Sequence, residues 1–115
     1  FNANGYRVAA SVDDLHSPNH RINGDTGLTA TGNKVPATGS SPNRHDILTG
    51  SQVDGTAYPA GEDMTCSNWT SSDEGKARVG HHDFANYNSA HDSRGCSGPA
   101  LVSSGGDGLF YCFAL

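Results

Sequence analysis

The chain is polar along most of its length, and its apolar residues come in short, widely spaced groups. Tyr6-Arg7-Val8-Ala9 alternates weakly and predicts an edge strand. Ser11 ahead of Val12-Asp13-Asp14-Leu15 supplies an N-cap and first-turn acids, which predicts a single helical turn. From Ser17 to Arg44 the residues are mostly Gly, Pro, Asn, Thr and Ser without periodicity. A structureless loop of that length in a compact domain binds something or packs onto something. His45-Asp46-Ile47-Leu48-Thr49-Gly50 has a short apolar centre and predicts a strand ending at Gly50, followed by turns at Asp54-Gly55 and Pro59-Ala60-Gly61. The run from Leu109 to Leu115 is the most apolar in the chain and predicts a central strand buried on both faces. The Gly105-Gly106-Asp107-Gly108 cluster predicts a tight connection into it. There is no internal repeat, heptad pattern or long amphipathic helix.

With 115 residues the chain is long enough for one domain, 1–115, and no more. Leu, Ile, Val and Phe number 18, few enough that the apolar core must be small and supplemented by other means. The 15 glycines and 5 prolines predict a backbone that turns often, with short strands and little helix. Disorder fits the same composition less well, because of the single Trp, the terminal aromatic cluster and the spaced cysteines. Net charge is −5 with only 7 scattered Lys and Arg, which argues against nucleic acid as a partner. No apolar run is long enough to span a bilayer as a helix, and no basic amphipathic stretch suggests insertion into a membrane surface. A start at Phe1, with neither an initiator Met nor a secretion signal, predicts a processed chain, a fragment or a piece of an assembly, a trimmed chain being the plain alternative.

The three cysteines, Cys66, Cys96 and Cys112, lack CxxC or CxxH spacing. In a small glycine-rich chain that favours disulfides over metal thiolates, and hence an oxidising, extracellular or cell-surface location. The odd count leaves one cysteine without a partner in the chain. It is either a buried free thiol or a bridge to a second polypeptide, and the second reading is preferred.

Several elements together carry a family resemblance. Asp46-Ile47-Leu48-Thr49-Gly50-Ser51, Thr65-Cys66-Ser67-Asn68-Trp69-Thr70, Val79-Gly80-His81-His82, Tyr87-Asn88-Ser89, Gly95-Cys96-Ser97 and Gly108-Leu109-Phe110-Tyr111-Cys112 resemble, in that order, bacterial secreted or surface domains related to endostatin and the C-type lectin-like fold. The resemblance covers most of the chain and is strongest from Arg44 onward. It implies a loop-rich, disulfide-stabilised α+β domain, of which this chain is similar to the C-terminal half. It also implies nested bridges, with Cys66 paired to Cys96 and Cys112 paired to a cysteine outside this chain. A Cys66–Cys96 bridge closes a loop of about thirty residues and contributes roughly 3 to 4 kcal/mol through chain entropy.

Among chemistry-bearing residues, Trp69 can offer a sugar-stacking face, but a Trp three residues from a bridging cysteine more often packs on the disulfide and fills the core. Asn68-Trp69-Thr70 matches a glycosylation acceptor and is read as chance. His81, His82 and Asp83, with His91 and Asp92 nearby, carry nitrogen and oxygen donors suited to zinc or another transition ion. Neighbouring His81 and His82 point to opposite faces of an extended strand, so at most one joins a given site. The preferred account is without a metal, one ring bonded to a backbone carbonyl and the other solvated; if a metal is held, the candidates are His81, Asp83 and Asp46. Calcium is also possible, from Asp46, Asp54, Glu62, Asp63, Asp73, Glu74, Asn88 and Asp92. Calcium-dependent lectins, however, carry a Trp-Asn-Asp element where this chain has Tyr87-Asn88-Ser89, and a Glu-Pro-Asn type element that it lacks.

Enzymatic readings lack a locatable catalytic pair, since the cysteines have structural explanations and paired acids such as Glu62-Asp63 and Asp73-Glu74 lie in turn-like sequence. The expectation is therefore a non-enzymatic extracellular recognition or adhesion module. It would bind a glycan or an extracellular protein through the loops 17–44 and 62–92, with Asn88, His91, Asp92, Glu62 and Asp63 as ligand contacts. The alternative is a structural subunit of an extracellular multi-chain assembly.

Overall fold

A computed structural model describes residues 1–113. The elements, in chain order, are α1 (Val12–Leu15), β1 (Asp46–Leu48), α2 (Cys66–Trp69), β2 (Arg78–His81), β3 (His91–Asp92), α3 (Gly98–Ser104) and β4 (Gly106–Phe110). The four strands make one mixed sheet in the order β3-β2-β1-β4, with β1 antiparallel to β2, β2 antiparallel to β3, and β1 parallel to β4. The fold is a small α+β domain with few helices and one disulfide, Cys66–Cys96.

Local chemistry explains the short elements. The Ser11 hydroxyl accepts from the Asp14 N–H and starts α1, as its sequence predicts. α3 was not anticipated, although its signals are present: Ser97 caps the first turn, Pro99 follows at its start, and Gly105 ends it at a φ of 112°. α2 is a single turn wound left-handed, with φ between 50° and 63° at Cys66, Ser67, Asn68 and Trp69. The Asp63 carboxylate holds it by accepting the N–H groups of Thr65 and Ser67.

Register decides which side chains share a face. Asp46 pairs with His81, Leu48 with Val79, and Val79 with His91, so these five lie on one side of the sheet. The core on that side is Leu48, Cys66, Ala77, Val79 and Cys96, covered by Leu101 of α3. The opposite side buries Ile47, Ile22 and Val35 beneath the 17–44 loop, beside an apolar groove of about 340 Å³ whose walls include Val8, Leu28, Leu109 and Phe113. That loop stays irregular, as expected, and is tied down by single contacts such as the Val35 N–H to the Gly27 carbonyl.

Three sequence expectations differ from the structure. Residues 6–9 form no strand; the Val8 carbonyl accepts one hydrogen bond, from the Arg21 N–H, and nothing extends the pairing. The terminal strand is an edge strand, not a central one: it ends at Phe110, pairs only with β1, and leaves Phe110 52% exposed. Its last two predicted residues, 114 and 115, lie outside the described residues. Trp69 does not fill the core. The left-handed turn swings it outward to 40% exposure, where its ring meets Phe110 edge to face at a centroid distance of 4.9 Å. Among the described residues no helix is long and apolar enough to cross a membrane.

Candidate functional site

At the end of the core-bearing face, three imidazoles surround one buried carboxylate. Asp46, 3% exposed, opens β1, and its Oδ1 lies 3.3 Å from Nε2 of His45, 3.0 Å from Nε2 of His81 and 3.4 Å from Nε2 of His91. His81 closes β2 directly across from Asp46, and His91 opens β3 across from Val79, so sheet register delivers both. His45 precedes β1, and its ring stacks on that of His81 with centroids 3.9 Å apart. Neither carboxylate oxygen of Asp46 and neither alignment at His81 Nε2 amounts to a hydrogen bond, despite these short approaches. Donor atoms of His45, Asp46 and His81 thus gather within 4.8 Å of one another, with Asp46 and His81 Nε2 left without a hydrogen bond among the described residues.

A second layer orients the rings. His45 Nδ1 is 3.0 Å from Asp83 Oδ1 and 2.9 Å from the Thr38 hydroxyl, and His91 Nδ1 is 2.9 Å from the Asp92 carbonyl. In the tautomer with the proton on Nδ1, His45 would donate to Asp83 and His91 to the Asp92 carbonyl, leaving each Nε2 lone pair on the side of Asp46. Burial opposes charge on the Asp83 carboxyl, yet hydrogen bonds from Thr38 and the neighbouring His45 bring it below the ordinary carboxylate range. Burial, followed by the neighbouring His45, pulls the His81 imidazole below its usual value. Phe84 covers the rings of His45 and His81 at about 6 Å.

The other predicted residues are distributed around this centre. Of the metal candidates, Asp46 and His81 meet in it, and Asp83 stands behind His45. His91, assigned above to ligand binding, faces Asp46 instead. Asp92 pairs with Lys76 and Arg78, and Asn88 is buried, its amide donating to the carbonyls of Gln52 and Val53. Asp63 caps α2, and Glu62 is exposed. The adjacent histidines do diverge, but neither adopts the preferred account of one carbonyl-bonded and one solvated ring. His81 faces Asp46, while His82 is 1% exposed with no partner at either nitrogen, packed against Gly27. His45 was missed; its signal was adjacency to Asp46 at the start of a predicted strand. The oxygen donors proposed for calcium do not gather among the described residues, and the one group of possible metal ligands is nitrogen-rich: His45, Asp46 and His81.

A second concave feature lies by Arg78, which strand alternation puts on the sheet face opposite Val79 and His81. It is an open cleft of about 580 Å³ lined by His16, Gln52, Asp54, Tyr58, Arg78 and Ser89, with Val53. Its polar groups are already held: His16 by the Tyr87 hydroxyl at 2.9 Å, Gln52 by the Ala57 carbonyl, Asp54 by Thr56, and Arg78 by Ser89, the Ala90 carbonyl and Asp92. Comparison with family models, curated proteins and solved structures finds no match to this chain.

Proposed function

We propose that this chain is an extracellular recognition module of endostatin-like, C-type lectin-like type, without enzymatic activity, that binds a hydroxyl-rich ligand, a glycan or a glycan-bearing protein, in the cleft beside Arg78. The observation that carries this reading is the state of the cleft wall. A Tyr ring, a guanidinium, a carboxylate, an amide and an imidazole line one open concavity, four of them fixed by hydrogen bonds. Sugar hydroxyls are recognised by donors and acceptors of this kind beside an aromatic face, and fixing them beforehand lowers the entropy lost on binding. The Cys66–Cys96 bridge is the pairing that the family resemblance implies, and it supports an oxidising location.

The test is a glycan and matrix-protein array followed by NMR titration of any hit. Chemical-shift changes centred on Tyr58, Arg78 and His16, with binding lost in Tyr58→Ala, support the reading. A blank array, or a hit that maps elsewhere and survives Tyr58→Ala, overturns it.

A second reading, a structural subunit joined to another polypeptide, is favoured by the exposed thiol of Cys112. Multimers seen by light scattering that dissociate on reduction distinguish it from a monomeric binder.

A further inference from the structure

We infer that His45, His81 and His91, through Nε2, and Asp46, through Oδ1, form a tetrahedral site for a zinc-class divalent ion that ties β1, β2 and β3 together. The inference stands apart from the recognition reading, because the four residues lie on the sheet face away from the cleft.

Geometry is the first argument. Zinc bound by imidazole nitrogen and carboxylate oxygen at about 2.0 to 2.1 Å in a tetrahedron separates its donors by roughly 3.3 Å. Asp46 Oδ1 stands at 3.3, 3.0 and 3.4 Å from the three Nε2 atoms. One donor of His45, of Asp46 and of His81 already fits within a mutual separation of 4.8 Å, and His91 approaches Asp46 from the β3 side. His91 stands outside that mutual separation and the His45 and His81 rings are stacked 14° from parallel, so binding requires a turn of the partly exposed His91 ring and a tilt of His45 away from His81.

The second argument is the absence of any other satisfaction. Both oxygens of Asp46 and Nε2 of His81 are buried without a hydrogen-bond partner among the described residues. A buried, unpaired carboxylate is costly, and a cation at the shared point removes that cost for all of these atoms together.

The third argument is the layer behind the ligands. Metal-bound histidines usually donate their other N–H to a carboxylate or a carbonyl. Here Asp83 serves His45 and the Asp92 carbonyl serves His91. Three imidazoles and one carboxylate favour zinc and its neighbours over calcium or magnesium, and four protein ligands describe a closed, structural site.

The experiment uses the 115-residue chain stripped with chelator and then titrated with Zn2+ and Co2+. Expected are one equivalent bound, a raised Tm, and the intense visible absorption of tetrahedral Co2+, with Ca2+ unable to compete. Asp46→Asn and His81→Gln abolish the Co2+ spectrum. His91→Ala weakens binding at least tenfold, and Asp83→Asn weakens it by roughly 10- to 100-fold while leaving the ligands in place. Lys34→Ala, whose side chain is exposed and pairs with Asp25, leaves binding unchanged. Lack of stoichiometric binding by the folded wild-type chain overturns the proposal whatever the variants do. An octahedral Co2+ spectrum, or equal binding by a folded Asp46→Asn, also overturns it.

Discussion

Tyr87 places its backbone carbonyl against the α-carbon of Gly80, in the space a β-carbon would occupy. The backbone of Asn88 crowds the same position. This close approach lets the 84–90 segment lie flat over β2, where the Ala90 N–H reaches the Val79 carbonyl at 2.7 Å and the His81 N–H reaches the Asn86 carbonyl at 3.2 Å. The two histidines contributed by β2 and β3 depend on that seating.

Gly80→Ala therefore forces β2 and the 84–90 segment apart. Over-packing of this kind costs about 1 to 3 kcal/mol or more when the obstacle is backbone. Urea denaturation of the variant is expected to show a loss in that range. The φ of Gly80 is not in the left-handed region, so the loss comes from contact alone. Unchanged stability would contradict the close approach.

The Cys66–Cys96 bridge, across 30 residues of sequence, joins the turn after the 50–65 loop to the start of α3, beside Val79 and Ala77. Replacing both cysteines with Ala is expected to cost about 3 to 4 kcal/mol by the loop-closure argument. For a small domain that is a large share of the total. Denaturation with and without reductant, with the reduced wild type matching the double variant, checks this.

Ser67 and Asn68 sit in the left-handed region at φ of 55° and 56°. A non-glycine residue there costs roughly 1 kcal/mol or more, while glycine gives up about 0.5 to 1 kcal/mol of chain entropy on folding. Asn tolerates the region better than Ser. Ser67→Gly is therefore expected to be neutral to stabilising by up to about 0.5 kcal/mol, and more favourable than Asn68→Gly. Thermal melts of the two variants rank them; a marked loss in Ser67→Gly would mean that its hydroxyl bond to Asp63, rather than backbone strain, dominates.

Burial raises the phenol of Tyr87 to about 12, and burial followed by Tyr87 itself pushes Tyr111 higher still. An unfolded tyrosine ionises near pH 10. Between about pH 10 and 12 the unfolded chain has released protons that the folded chain retains, so stability is complete below pH 10 and falls as pH rises. Over that window Tyr87 alone accounts for about 2 to 3 kcal/mol. Tyrosinate absorbance should show a fraction of the phenols titrating late, and that fraction should move to the ordinary range in denaturant.

Features written in local sequence were legible without the fold. Ser11 and the acids behind it announce α1, the Ile47-Leu48 pair before Gly50 announces β1, and the low apolar content announces loops. The pairing of Cys66 with Cys96 followed from family resemblance. α3 carried its Ser97, Pro99 and Gly105 signals and was still passed over, because its seven residues show no apolar stripe.

What only the tertiary structure decided is who meets whom across the sheet. An apolar run at the C-terminus reads as a central strand, yet among the described residues β4 pairs with β1 alone, in parallel, which makes it an edge. His45 with Asp46, His81 and His91 are three separate stretches of sequence, and the antiparallel registers of β1, β2 and β3 bring them to one point. Periodicity reports which face a residue occupies within its own strand. The partner on the neighbouring strand is set by packing of the whole core, and it was that packing that turned scattered histidines into a site.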